Sequence, residues 1–225
     1  MDVINYLSSK KIIIVCGHYG SGKTNIAVNL CIMLKEQADL AYTLADLDTV
    51  NPYFRSADNI GDLKKRGLDF IVPPYANTNV DIPAIPPEIY SIFSGGARSL
   101  LDVGGDDNGA TVLGMFADGI KKESHEMIYV ANKYRSLTAE PMQAADLALA
   151  IEQKSKLKIT SLINNSNIGH LTTKKEIESS AGYAQKTAEL LKVPLICATS
   201  MIDLDFSLKK EYNILMIKNY TKKLF

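Results

Sequence analysis

The stretch Lys11-Ile12-Ile13-Ile14-Val15-Cys16 runs directly into Gly17-His18-Tyr19-Gly20-Ser21-Gly22-Lys23-Thr24. The first part is an apolar run of strand length, as suits a strand covered on both faces. The second matches G-x-x-x-x-G-K-[ST], with Gly17, Gly22, Lys23 and Thr24 at the fixed positions. Glycines let the backbone curl so that successive N–H groups point inward at phosphate oxygens. Lys23 then reaches the β- and γ-phosphates, and the Thr24 hydroxyl ligates Mg2+. From Lys23 to Gln37, Ile26, Val28, Leu30, Cys31, Ile32 and Leu34 recur at helical spacing. That helix presents its positive N-terminal end to the same anion. The expected nucleotide site is therefore Gly17, His18, Tyr19, Gly20, Ser21, Gly22, Lys23, Thr24 and Asn25.

Outward from this stretch, short apolar runs alternate with longer amphipathic ones. Strands are predicted over 11–16, 40–45, 68–72, 99–103, 127–131, 159–163 and 195–198. Helices are predicted over 87–93, 109–120, 138–152 and 173–191, with Ser136 to Pro141 capping the third. Such alternation over the whole length implies a single α/β domain. Its expected form is the three-layer P-loop NTPase fold, a mostly parallel sheet of about seven strands with helices on both faces. Ligands of such sheets sit at the carboxyl ends of the strands. The segment 72–87 holds five of the eight prolines and reads as a surface excursion or lid.

Composition narrows the function classes. Lys+Arg and Asp+Glu balance at 25 each over 225 residues, so net charge calls for neither nucleic acid nor an anionic surface. Cys16, Cys31 and Cys197 form no C-x-x-C pair, and His18, His125 and His170 are scattered. A disulfide framework or a zinc or iron–sulfur site is poorly supported. No signal-type leader and no run of membrane-span length is present, so a cytoplasmic protein is expected.

Two further motifs end predicted strands. Ser99-Leu100-Leu101-Asp102-Val103-Gly104-Gly105 places a carboxylate after an apolar strand, where Asp102 would hold Mg2+ or its water. Gly105, three residues on, can bring its backbone N–H to a γ-phosphate. Asp46-Leu47-Asp48-Thr49-Val50-Asn51-Pro52-Tyr53-Phe54-Arg55 follows the second strand. Asp46 and Asp48, two apart, point the same way on an extended chain. Either can bind the metal or orient an attacking water, or else cap a loop; Asp48 is the expected catalytic partner of Lys23.

The loop, the D-x-D after the second strand and the later Asp-then-Gly motif together resemble the MinD/ParA/CobQ group of P-loop ATPases. The segment Asp46–Arg55 is similar to a little-described bacterial branch of that group. The resemblance covers about residues 10–200. It implies an ATP- and Mg2+-dependent switch, often a homodimer sandwiching nucleotide. That group usually carries a lysine at the second loop position, where this chain has His18, so the sandwich and hydrolysis dependent on it are in question. The cluster cysteines of the nitrogenase iron protein have no counterpart here.

Ala131-Asn132-Lys133-Tyr134-Arg135 begins like the guanine-reading N-K-x-D, but Arg135 replaces the carboxylate. Asn164 and Asn165 end a strand where the resembling group places an adenine contact, and an amide can pair with the adenine edge. They are otherwise turn residues. The C-terminus carries Tyr212, Met216, Tyr220 and Leu224 at helical spacing with Lys218, Lys222 and Lys223 elsewhere. A terminal helix over about 207–225 is expected, either packed on the domain or touching a membrane. Three functions stay open: an ATPase switch acting on an unknown protein partner, a biosynthetic kinase or carboxylate-activating synthase, and a non-hydrolysing nucleotide-binding regulator.

Overall fold

The computed structural model describes residues 2–48, 61, 63–72, 87–93, 96–105 and 107–220. Arg55, the interior of the 72–87 excursion, Asp106 and residues 221–225 with Leu224 lie outside them.

Among the described residues eight strands form one sheet in the order β3-β2-β4-β1-β5-β6-β7-β8. They are β1 (Ile12–Cys16), β2 (Tyr42–Asp46), β3 (Asp69–Ile71), β4 (Arg98–Asp102), β5 (His125–Ala131), β6 (Ser161–Asn164), β7 (Leu195–Ser200) and β8 (Ile214–Met216). Every ladder is parallel. The helices are α1 (Val3–Ser8), α2 (Lys23–Ala38), α3 (Asp107–Met115), α4 (Ala117–Ile120), α5 (Pro141–Ser155), α6 (Lys174–Leu191) and α7 (Phe206–Glu211).

β1 shows why the chain folds in three layers. All five of its residues are buried, and successive side chains point to opposite faces. Ile12, Ile14 and Cys16 join a core with Leu113 of α3, Ala144 and Ala148 of α5, and Tyr183 and Ala184 of α6. Ile13 and Val15 join a second core with Ile4 and Leu7 of α1 and Ile26 and Leu30 of α2. Because all strands are parallel, their carboxyl ends share one edge of the sheet. The segments that follow β1, β2, β4, β5, β6 and β7 therefore begin there, with β1 at the point where the strand order reverses.

Several expectations shift in detail. The helix expected over 109–120 is two, broken at Phe116. Residues 87–93 form a 3-10 helix. Ser136–Thr138 is a separate 3-10 turn, and α5 starts at Pro141 with Gln143 accepting from the Glu140 N–H. α1 was not foreseen. Its Asp2 carboxylate accepts from the Ile4 and Asn5 N–H groups, and Val3, Ile4 and Leu7 form the buried stripe.

The terminal helix is corrected. Among the described residues of this segment only Phe206–Glu211 is helical; Asn213 then takes a left-handed conformation (φ 48°), and Ile214–Met216 pairs with β7 as an eighth strand. The open edge of β7 offers ladder bonds that outweigh the helical spacing of Tyr212, Met216 and Tyr220. The chain then crosses α2. Asn29 donates to the Lys218 carbonyl at 2.8 Å and accepts from its N–H at 2.8 Å. Asn25 Oδ1 accepts from the Tyr220 N–H at 2.9 Å. This covering explains why α2 is buried around most of its circumference. No helix among the described residues is long and apolar enough to cross a membrane.

Candidate functional site

The loop from Gly17 to Gly22 closes on itself through a Ser21 N–H bond to the His18 carbonyl (3.1 Å). Gly22 is the N-cap of α2 at φ 89°, in the left-handed region where a side chain is strained. No side chain caps this helix, so its first-turn N–H groups point into the loop with the positive end of the dipole behind them. Lys23 is 7% exposed, and its Nζ lies over the loop, 3.4 Å from the His18 carbonyl. The arrangement concentrates backbone donors and one lysine where an anion would sit.

Beside it is an oxygen-lined corner. Asp102 ends β4 next to β1 and lies in register with Asp46 of β2. The Thr24 hydroxyl donates to Asp102 Oδ2 at 2.6 Å, while Oδ1 is buried with no hydrogen-bond partner among the described residues. Burial pushes the Asp102 carboxyl up to about 6, opposed by Lys23 and the Thr24 hydrogen bond and reinforced by Asp48. A carboxylate so placed favours a proton or a cation. Asp46, fully buried, accepts the Asp48 N–H at 2.9 Å, so Asp46 caps the turn after β2. Asp48 is half-buried and acts electrostatically on Asp102.

Gly105 lies against the loop. A side-chain carbon there would stand 2.5 Å from the Tyr19 nitrogen and 2.8 Å from Lys23 Nζ, so only glycine permits this approach. Tyr19 is exposed. The His18 imidazole is held below its usual range by partial burial and then by the positive charges of Lys23 and Arg135. It is therefore neutral near pH 7 and contributes no fixed charge.

The pair Asn164-Asn165 has structural bonds that the sequence did not disclose. Asn164 donates to Ser180 Oγ (2.9 Å) and accepts from the Ser166 hydroxyl (2.6 Å). Asn165 donates to the Ser21 carbonyl (2.7 Å) and accepts from the Thr199 hydroxyl (2.6 Å). Both amides are buried and occupied at both ends in this conformation. Asn165 thus ties the ends of β6 and β7 to the loop, directly behind Gly22, whose missing side chain leaves it room. Asn25, expected at the nucleotide, accepts the Tyr220 N–H with its side chain.

Asn165→Ala should strand the buried Ser21 carbonyl and leave the Thr199 hydroxyl only its 3.5 Å contact with the Asn164 carbonyl, lowering stability by about 1–3 kcal/mol. Urea unfolding measures this loss. Calorimetry on the same variant should show weaker nucleotide binding; unaltered affinity would mean that the loop holds its shape without Asn165.

Other candidates fall away from this edge. His125 begins β5 at the opposite end of the sheet, and His170 lies exposed in a 3-10 turn after β6. Cys16, Cys31 and Cys197 are buried, and burial raises each thiol to about 12. Asn132 accepts from the Tyr134 N–H, Lys133 donates to the Ser179 carbonyl and Tyr134 to that of Glu176, so N-K-Y shapes the loop after β5.

No family model matches the sequence, and no curated protein matches it. Solved structures do match. A nucleotide-binding protein from Archaeoglobus fulgidus in complex with ADP shares 17% identity at TM-score 0.53, covering 92% of this chain and 88% of its own. The signal recognition particle 54 kDa protein from Aeropyrum pernix K1 in complex with GDP shares 18% at TM-score 0.57. It is covered over 41% of its length by 84% of this chain. The signal recognition particle receptor FtsY from Elizabethkingia anophelis in complex with GDP shares 19% at TM-score 0.53. There the coverage is 94% of this chain and 61% of the receptor. With these neighbours and its parallel eight-stranded sheet, the chain has the three-layer α/β fold of P-loop NTPases.

Proposed function

We propose that the chain binds Mg·ATP on Gly17–Thr24 and works as a slow ATPase switch of the MinD/ParA-like kind. The observation that carries this reading is the corner formed by Thr24, Asp102 and Lys23 at the uncapped start of α2. Asp102 presents a buried oxygen that has no hydrogen-bond partner among the described residues, at the carboxyl edge of the sheet. A hard cation needs oxygen ligands of this type, so the residues present fit Mg2+. Thr24 and Asp102 would hold it, with Asp48 nearby. Among the described residues no group of three or more His, Cys, Asp or Glu side chains is placed to cage a metal. When bound, the ion neutralises and orients the phosphates.

The chain's own residues supply the rest. The loop N–H groups and the α2 dipole bind phosphate, Lys23 adds a positive charge, and Gly105 brings backbone to the same point. Asp48 is the candidate for positioning water. Adenine is the favoured base, because Arg135 stands where guanine reading needs a carboxylate. Neighbours of this fold hold ADP in one case and GDP in others. In this conformation Asn164 and Asn165 spend their amides internally, so a base contact from either requires an exchange of partners. A neutral His18 at the second loop position favours slow turnover and supports a regulator with little hydrolysis as the second reading.

ATP turnover measured alone, with GTP as competitor and with small carboxylates added, tests this. Slow hydrolysis indifferent to carboxylates and resistant to GTP is expected. Equal competition by GTP would overturn the choice of adenine, and carboxylate-dependent turnover would replace the switch with a synthase.

A further inference from the structure

The loop after β5 brings a second cation to the phosphate site. Ala131 ends β5, and residues 132–138 fold into a pinned turn rather than a loose connection. The Asn132 carbonyl accepts from the Arg135 N–H (3.3 Å) and from the Thr138 hydroxyl (2.9 Å), while the Arg135 carbonyl accepts from the Thr138 N–H (3.0 Å). The Lys133 N–H donates to Ser166 Oγ (3.0 Å), and the Tyr134 hydroxyl reaches the Glu176 carbonyl of α6 (3.0 Å). Three bonds within the turn, one to the loop after β6 and one to α6 fix the backbone from which the Arg135 side chain leaves.

That side chain returns over the phosphate loop. A carbon placed on Gly20 would stand 3.4 Å from Arg135 Nε and 3.6 Å from Cζ, so the guanidinium lies along the loop backbone at ordinary contact distance. Arg135 is exposed and makes no ion pair among the described residues. It lies beside the backbone of an anion cradle, at Gly20.

Charge balance gives this placement a use. A metal-bound triphosphate retains negative charge in excess of one lysine, and the neutral His18 adds none. We propose that Arg135 is the second cation of the phosphate site, its guanidinium beside Gly20 binding phosphate oxygens of a nucleotide seated on Gly17–Thr24. The planar fork of N–H donors suits phosphate better than a point charge does. The proposal rests on the phosphate-site reading above and adds to it a positioning and affinity residue from a separate loop.

The test uses the full chain as wild type, Arg135→Ala, Arg135→Lys and Lys23→Ala, with calorimetric titration of Mg·ATP. Arg135→Ala should weaken binding about tenfold or more, and Arg135→Lys by less. The nucleotide-free melting temperature of Arg135→Ala should match that of the wild type, since the side chain is exposed and unpaired among the described residues. A second readout needs no nucleotide: removing Arg135 takes a positive charge from beside His18, so the imidazole titration followed by NMR should move up towards its ordinary value.

If the wild type binds Mg·ATP, Lys23→Ala does not, and Arg135→Ala binds within about twofold of the wild type, the Arg135 assignment alone is overturned. If the wild type binds no Mg·ATP, the phosphate-site reading falls and this proposal with it. An unmoved His18 titration would contradict the placement of the guanidinium itself.

Discussion

Replacing Asp102 with asparagine is expected to remove the Mg2+-dependent part of nucleotide binding, a loss of about 10–100-fold, while leaving the fold intact. The Thr24 hydroxyl can still donate to the asparagine carbonyl, so the local geometry survives. What is lost is the charge on an oxygen that is buried and has no hydrogen-bond partner among the described residues. The pH dependence gives the prediction a second handle. Burial raises the folded-state pKa of Asp102 to about 6 from an ordinary 3.8. A carboxyl raised on folding contributes stability that is fully present below the ordinary value and is lost as pH rises through the folded value. In the nucleotide-free wild type, stability attributable to this group therefore declines between about pH 4 and pH 7. The Asp102→Asn protein lacks that decline, so its melting temperature should gain on the wild type as pH rises through 6. A cation held by Asp102 must displace the proton, so Mg·ATP affinity of the wild type should climb over the same window and level off above it. Melting curves and calorimetry from pH 5 to pH 8 read both effects. Identical pH profiles for the two proteins would remove Asp102 from the metal corner.

Much of this corner was legible because it is local. The buried strand Ile12–Cys16, the glycine loop and the helix from Lys23 are contiguous, and each implies the next. Asp102 was legible for a related reason: an apolar strand ending in a carboxylate has to deliver it to the sheet edge where β1 also ends. Long-range partners were hidden. Asn165 is 144 positions from Ser21, and the strand order that joins them is set by topology rather than by any local pattern. The same applies to Arg135, whose position in an N-K-x-R string says what it cannot do for guanine and nothing about Gly20. At the C-terminus a short apolar run fits a helix and a strand equally by period, and the open edge of β7 decides between them. Asp46 and Asp48 were equivalent in the sequence. The chain separates them by turning the Asp48 N–H back onto Asp46, which is committed to the turn.

Lys23→Ala should produce the largest loss in this chain. Lys23 leaves α2 at its N-terminus and lies over the loop, nearly buried, with its ammonium near the His18 carbonyl and in the electrostatic field of Asp102. Its substitution removes the principal charge facing a bound phosphate and leaves the loop N–H groups to act alone. Charge-assisted bonds of this kind in a largely enclosed site contribute about 1.5–3 kcal/mol each, and one lysine can make more than one. A fall in affinity of about 100-fold or more is expected, with a retained fold, because Lys23 contributes to neither hydrophobic core. The decisive measurement is a parallel calorimetric titration of Mg·ATP into the wild-type and Lys23→Ala proteins. Saturable one-to-one binding by the wild type and none by the variant is the expected result. Equal affinity in both would contradict a phosphate site at Gly17–Thr24.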